Sequence, residues 1–430
     1  MYCGNCFRDN ALVAELRRMG HQVLMLPLYL PLTLDEEDQS AGAPIFFSGI
    51  NVYLGQKSSL FRSAPGWLRN VLASPKLLKW ASGRAASTRP ADLGEITISM
   101  LRGEEGNQAR ELEELISWLK TQPAPDVICL SNALLVGMVH RLKTELRVPV
   151  ICTLQGEDGF LDALPEPYRA EAWEILAERA REVDLFIAPS KYFAELMSKR
   201  LGLQSERARV IYNGINLDGF HDANSPVSSP VTRHPSLTLG YFARMCPEKG
   251  LDTLVDAYIA LRKRDRVKNL KLKIGGSRGP ADEKFVNELW EQLSAANLLA
   301  DVELHPNLSR VGKISFLKSL SIFSVPATYG EAFGLYVIEA LAAGVPIVQP
   351  RHAAFPELIQ ATGGGILSEP DDANSLADKI EEMLLNPSRA RELGETGRRA
   401  VFENFSASRM AQNFEQICAG LANRPSSIVN

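Results

Sequence analysis

The sequence predicts an α/β protein built of two doubly wound, Rossmann-like domains. Three observations carry this expectation. Short apolar runs alternate with amphipathic helical stretches along most of the chain, as in βαβ units whose strands are buried on both faces. The alternation breaks at residues 221–236, rich in Ser and Pro, which read as a flexible domain boundary. A length of 430 residues, 45% hydrophobic and 23% charged, suits a globular chain with more than one core.

In chain order, strands are expected at 22–26, 126–130, 148–153, 185–189, 209–212, 237–242, 270–275, 321–326 and 346–348. Helices are expected at 107–121, 167–183, 249–263, 282–296, 333–343, 375–385 and 405–421. The resulting division is 1–212, 213–404, and a final segment, 405–430, that returns to the N-terminal domain. A ligand would sit in a crevice between the domains, at the carboxyl ends of their strands. The beginning of the chain departs from the pattern. Helical periodicity starts at Phe7 and runs through Leu12, Val13, Leu16 and Met19 to Gly20. A doubly wound domain opens with a strand, a glycine turn and then this helix. The turn is there as Tyr2-Cys3-Gly4-Asn5-Cys6, but no strand precedes it. The expectation is a sheet lacking its first strand, in a chain that is shortened or whose natural start is not Met1.

Composition excludes several classes. A formal net charge of −4 lacks the basic surplus of a nucleic-acid binder. Six cysteines, most of them isolated, do not make a disulfide framework and suit a reducing compartment. No apolar run reaches the ~18–20 residues of a membrane span. Arg8, Asp9 and Asn10 stand where a signal peptide would have its apolar core. The reading is cytoplasmic.

Two segments carry chemistry. In Tyr329-Gly-Glu-Ala-Phe-Gly-Leu-Tyr-Val-Ile-Glu339, a helix is expected to begin near Phe333. The backbone N–H groups of Phe333, Gly334 and Leu335 then suit a phosphate. Glu331 and Glu339 would lie ~12 Å apart at helical rise, enough to hold both ends of a nucleotide sugar. A carboxylate suits a diol because each oxygen accepts from a hydroxyl. In Gly240-Tyr-Phe-Ala-Arg-Met-Cys-Pro-Glu-Lys-Gly250, Arg244 and Lys249 sit on a strand-to-helix turn. Two fixed cations there neutralise a departing diphosphate without a metal. A lysine in a first helical turn opposes the helix dipole, which favours function over ordinary surface charge.

These residues resemble glycosyltransferase family 4, of the GT-B fold. The family pattern is Arg-x4-Lys-Gly followed by Glu-x7-Glu around Phe-Gly-Leu, matched by Arg244, Lys249, Gly250, Glu331 and Glu339. Pro189-Ser190, the 210–215 segment, Gly275-Gly276 and Pro356-Glu357 are further echoes. The resemblance implies a retaining, metal-independent transferase with no bound cofactor. It would move a sugar from a nucleoside-diphosphate donor to a hydroxyl of a glycan, lipid or small molecule. It implies Arg244 and Lys249 on the diphosphate, Glu331 on the sugar, Glu339 on the ribose, and the backbone of Gly334 and Leu335 on the distal phosphate. Gly4 would approach the donor from the N-terminal domain.

The segment after the 148–153 strand departs from the family. Family members often carry a histidine there, whereas this chain has Gln155, which is no base but can hydrogen-bond a sugar. Glu157 and Asp158 are acceptor-side candidates, or simply a polar turn. Cys3 and Cys6 have metal-ligand spacing but no second pair, so they read as small residues flanking a loop. Asp371-Asp372 reads as a helix cap. Residues 56–91 carry seven cations and no acid, interleaved with Trp67 and Trp80. They read either as a peripheral contact to an anionic membrane or as an acceptor-site flap. Two other readings stay open: a nucleotide-sugar epimerase on the same fold, and a non-catalytic nucleotide or sugar binder.

Overall fold

The computed structural model describes residues 4–28, 36–47, 90–221 and 237–422. They form two compact units. One comprises Asn5–Ile211 with Ala411–Asn430, the other Tyr212–Met410 with Met1–Gly4. They are called the N-terminal and C-terminal units below. Each holds one all-parallel sheet flanked by helices, as the apolar rhythm predicts.

The N-terminal sheet runs β1 (Ile128–Leu130), β2 (Val150–Thr153), β3 (Leu185–Ala188), β4 (Ala208–Val210), in that spatial order. β2 and β3 are buried throughout, which is why they read as unbroken apolar runs. Side chains punctuate the helices. Ser190 caps the Lys191–Leu201 helix by accepting from the Phe193 N–H at 3.1 Å, and Gly202 closes it at φ +62°.

Among the described residues no strand precedes the Gly4–Arg18 helix, and the expected strand at 22–26 does not form. The strand before the first helix is the natural partner of the strand after it, and this sheet begins at β1. Side chains serve part of that backbone instead. Arg17 Nε and Nη2 donate to the Val23 carbonyl at 3.0 and 2.7 Å.

The C-terminal sheet contains β5 (Thr238–Phe242), β6 (Lys271–Gly276), β7 (Val302–Pro306), β8 (Ile322–Phe323), β9 (Ile347–Pro350) and β10 (Gly365–Ser368). Their spatial order is 10-9-8-5-6-7. β7 and β10 escaped the sequence reading. β7 is an edge strand, and Val302, Glu303, Leu304 and His305 are all only partly buried, so it lacks an apolar run. Asp372 caps the Ala373–Leu384 helix, accepting from the N–H groups of Asn374 and Ser375 at 2.9 and 3.0 Å, as expected. Among the described residues no helix is long and apolar enough to cross a membrane. The basic stretch up to residue 89, the boundary at 222–236, and Tyr2 and Cys3 lie outside the described residues.

The Gly4–Arg18 helix buries charge against the N-terminal sheet. Arg8, 4% exposed, donates to Thr153 Oγ1 at 2.9 Å and pairs with Asp9 at 2.9 Å. Burial pushes the Asp9 carboxyl up to about 6, against the opposing pull of Arg8. A carboxyl whose pKa rises on folding stabilises the fold fully below its unfolded value and loses that contribution as pH climbs through the folded one. Asp9→Asn should therefore gain stability relative to the parent between pH 4 and pH 7, read as the difference in urea midpoints. A pH-independent difference would remove Asp9 as the cause.

Candidate active site

The C-terminal sheet reverses direction beside β5. The chain builds outward from β5 through β6 and β7, then returns to lay β8 along the other edge of β5 before continuing to β9 and β10. The connections leaving the carboxyl ends of β5 and β8 lead to strands on opposite sides of the sheet, and such a switch point is where open α/β sheets hold ligands. Both chemistry-bearing segments of the sequence leave these two strands.

Arg244 lies in the loop after β5. Its side chain is 57% exposed, and Nε and Nη2 donate to Asp282 Oδ1 at 3.1 and 2.9 Å. The Asp282 carboxylate is buried, and its other oxygen accepts from the Gly279 N–H at 2.9 Å. The hydrogen-bonded Asp282 raises the Arg244 pKa further. Arg244 is thus a permanent cation tethered at the rim.

Lys249 does not stand in the first turn of a helix, as expected. It ends a separate 3₁₀ turn, Pro247–Lys249, and Gly250 at φ +67° caps the Leu251–Arg264 helix after it. Gly250 is required twice. Its φ is left-handed, and a Cβ there would collide with the Pro326 carbonyl. The close approach lets the two loops join: the Thr328 N–H donates to the Glu248 carbonyl at 3.1 Å. That junction brings Lys249 Nζ to 2.6 Å from Glu331 Oε2.

Glu331 is 12% exposed. Its Oε2 also accepts from the hydroxyls of Tyr329 and Tyr336 at 2.7 and 2.8 Å, and Lys249 donates to the Tyr329 hydroxyl as well. Burial is the largest single influence on Glu331 and opposes its charge. Lys249 and the two hydroxyls together outweigh it, so the pKa lies below the ordinary carboxylate value.

The helix expected from Phe333 begins at Leu335, with Gly334 as its cap at φ +90°. The backbone N–H groups at this end start with Leu335, and the Val337 N–H turns back to the Gly334 carbonyl at 2.9 Å. Phe333 is a core residue: 2% exposed, its ring lies 6.3 Å from those of Tyr212 and Phe405. The ~12 Å expected between Glu331 and Glu339 does not apply, because only the stretch from Leu335 to Glu339 is helical and rises ~6 Å. Glu339 Oε1 accepts from Lys313 Nζ at 2.7 Å. Two of the echoes meet directly, as the Tyr212 hydroxyl donates to Glu357 at 2.9 Å.

In the N-terminal unit, Gln155, Glu157 and Asp158 follow the carboxyl end of β2. Gly156, at φ +98°, caps a short helix, Glu157–Asp162, so the segment is not the polar turn that is one of its two readings. Glu157 is committed to the backbone: its two oxygens accept from the Ala133 and Gln155 N–H groups at 2.9 and 2.8 Å, and it is 5% exposed. Burial raises its pKa. Glu157 thus braces the loops after β1 and β2, leaving Gln155 and Asp158, both part-exposed, as the available polar groups. Gly4 opens the first helix but is grouped with the C-terminal unit. Among the described residues, no three His, Cys, Asp or Glu side chains are placed to hold a metal ion.

Sequence reasoning missed Asp282, Lys313 and the two tyrosine hydroxyls. Asp282 and Lys313 look like ordinary helix charges, lying 38 and 26 residues from the groups they hold. The tyrosines lie inside the 329–339 motif, and their polar tips are the available signal.

Comparison with known proteins agrees with this geometry. Residues 229–400 match the family described as glycosyl transferases group 1, and residues 94–218 match glycosyltransferase family 4. An uncharacterized glycosyltransferase of Methanocaldococcus jannaschii is 29% identical over 60% of this chain and 64% of its own. An MMP alpha-(1->4)-mannosyltransferase of Mycolicibacterium hassiacum is 28% identical over 54% of this chain and 53% of its own. The chain thus spans less than two thirds of these curated relatives. Anabaena HepE, solved in complex with UDP, superposes with a TM-score of 0.63 at 18% identity, over 74% of this chain and 84% of that one; it has also been solved with UDP-glucose. These two family matches, which together cover most of the chain, and two all-parallel sheets of GT-B type place this chain in glycosyltransferase family 4.

Proposed function

We propose that this chain is a retaining, metal-independent glycosyltransferase that moves a sugar from a nucleoside-diphosphate donor to an acceptor hydroxyl. The observation that carries the reading is the Lys249–Glu331 pair, 2.6 Å apart, beside the free N–H end of the Leu335–Ala342 helix. It offers a cation for a diphosphate, a carboxylate for sugar hydroxyls and backbone donors for the distal phosphate within one loop junction. HepE, solved with UDP and UDP-glucose, and the mannosyltransferase relative support this class of donor.

In this reading Arg244 and Lys249 neutralise the leaving diphosphate, doing the work a divalent ion would otherwise do. The bond from the sugar's anomeric carbon to the phosphate oxygen breaks. The acceptor oxygen bonds to the same face of that carbon, and its proton passes to the released phosphate oxygen. No side chain has to act as nucleophile. Glu331 Oε1 takes sugar hydroxyls, Glu339 keeps Oε2 for the ribose while Lys313 holds Oε1, and Leu335 N–H takes the distal phosphate. Gln155 and Asp158 are assigned to the acceptor side.

Glu331→Ala and Lys249→Ala should each lower transfer from radiolabelled sugar nucleotide by about a hundredfold or more, with circular dichroism unchanged. Undiminished turnover in both variants refutes the site. Nucleotide release without transfer or hydrolysis would point to a binder. Incubation with EDTA should leave the wild-type rate within about twofold, whereas a metal-assisted reaction would lose several kcal/mol of barrier lowering.

A further inference from the structure

Glu331 leaves the sheet on a loop, so no regular element fixes its carboxylate. Its backbone makes only two hydrogen bonds among the described residues, from its N–H to the Tyr329 carbonyl at 2.8 Å and from the Ala354 N–H to its carbonyl at 3.2 Å. The side chain is held differently. Lys249 Nζ, the Tyr329 hydroxyl and the Tyr336 hydroxyl all donate to Oε2, at 2.6, 2.7 and 2.8 Å. An ionised carboxylate offers about two lone-pair sites on each oxygen, so Oε2 is saturated. Among the described residues nothing donates to Oε1.

The same two rings flank the cation. Lys249 Nζ lies 4.7 Å from the Tyr329 ring centroid and 5.2 Å from that of Tyr336. The Tyr329 hydroxyl thus bridges the ammonium and the acid, while Tyr336 binds the acid through its hydroxyl and keeps its ring within cation–π range of the ammonium. Tyr336 belongs to the first turn of the Leu335–Ala342 helix, which gives the cage a rigid wall. Burial, reinforced by the Glu331 charge, lifts the Tyr336 pKa well above its usual value, so its proton stays available for donation.

We propose that Tyr336 and Tyr329 are positioning residues of the donor-sugar site, holding Oε2 of Glu331 so that Oε1 is presented to the hydroxyls of the transferred sugar. This rests on the transfer reading above. Without the hydroxyls, the loop-borne carboxylate would be free to turn both oxygens onto Lys249, withdrawing Oε1. They matter most when a diphosphate competes for Lys249, because Glu331 then keeps two donors and stays ionised and oriented in a poorly hydrated place.

Tyr336→Phe and Tyr329→Phe keep the rings and remove only the hydroxyls, with circular dichroism reporting the fold. Calorimetry with UDP and with UDP-glucose separates nucleotide from sugar binding. For Tyr336→Phe, UDP-glucose affinity should fall about tenfold while UDP affinity stays within about twofold. Carbon-13 carboxyl NMR, with Glu331→Gln assigning the signal, should show the Glu331 titration moving toward neutral pH in either phenylalanine variant. An unmoved titration in both overturns the proposal, as does equal weakening of UDP and UDP-glucose. If the wild-type protein binds neither nucleotide, its donor is not a uridine one, and the Glu331 titration alone decides whether the tyrosines hold the carboxylate.

Discussion

The parallel pairing of β5 with β8 is the constraint on which the site depends. Leu239 stands opposite Ile322 and Gly240 opposite Phe323, joining strands some eighty residues apart in the chain. Their buried side chains belong to one apolar core. A one-residue slip would turn these side chains to the wrong face, so the core fixes the register. The register in turn fixes where the following loops begin. Gly250 against Pro326, and Thr328 against Glu248, turn that alignment into contact between a cation and an acid. The chemistry of the site is thus inherited from hydrophobic packing a few residues away.

A pair as sheltered as Lys249 and Glu331 is costly to assemble. Removing two ions from water is offset only when geometry is good and the remaining lone pairs are filled. Two tyrosine hydroxyls and the Tyr336 ring meet that need here. Arg244 follows a different rule. It remains over half exposed and is tied at one side by Asp282, so its attraction to Asp282 is screened by water and the arginine stays open to a second anion.

Much of this was legible in the sequence, for physical reasons. Parallel strands buried on both faces leave unbroken apolar runs, so β2, β3, β5 and β9 announced themselves. Strand-to-helix turns concentrate unusual residues, so Arg244, Lys249, Glu331 and Glu339 stood out. Other features depend on neighbours that no local pattern names. Residues 22–26 alternate like a strand but have no ladder to join. β7 alternates as an edge. Glu157 looks like an exposed acid until folding wraps two backbone N–H groups around it. Asp282 and Lys313 acquire their roles only when the sheet brings distant helices together. Phe333 sits inside the motif, yet its side chain is spent on packing with Tyr212 and Phe405.

Neither compact unit is a continuous stretch of chain. The N-terminal unit takes in the segment beginning at Ala411, where Glu415 meets His21 at 2.9 Å. On the ribosome, residues 5–211 therefore emerge long before the helical neighbour that starts near Ala411 exists. Until the segment from Ala411 has been made, the surface that Ala411 and Leu421 come to cover, each under 9% exposed in the finished fold, stays open to water and to chaperones. The C-terminal unit, whose own sheet lies wholly between Thr238 and Ser368, carries no such debt. Both sheets can therefore form before the segment from Ala411 is made, and that segment closes the N-terminal unit after them.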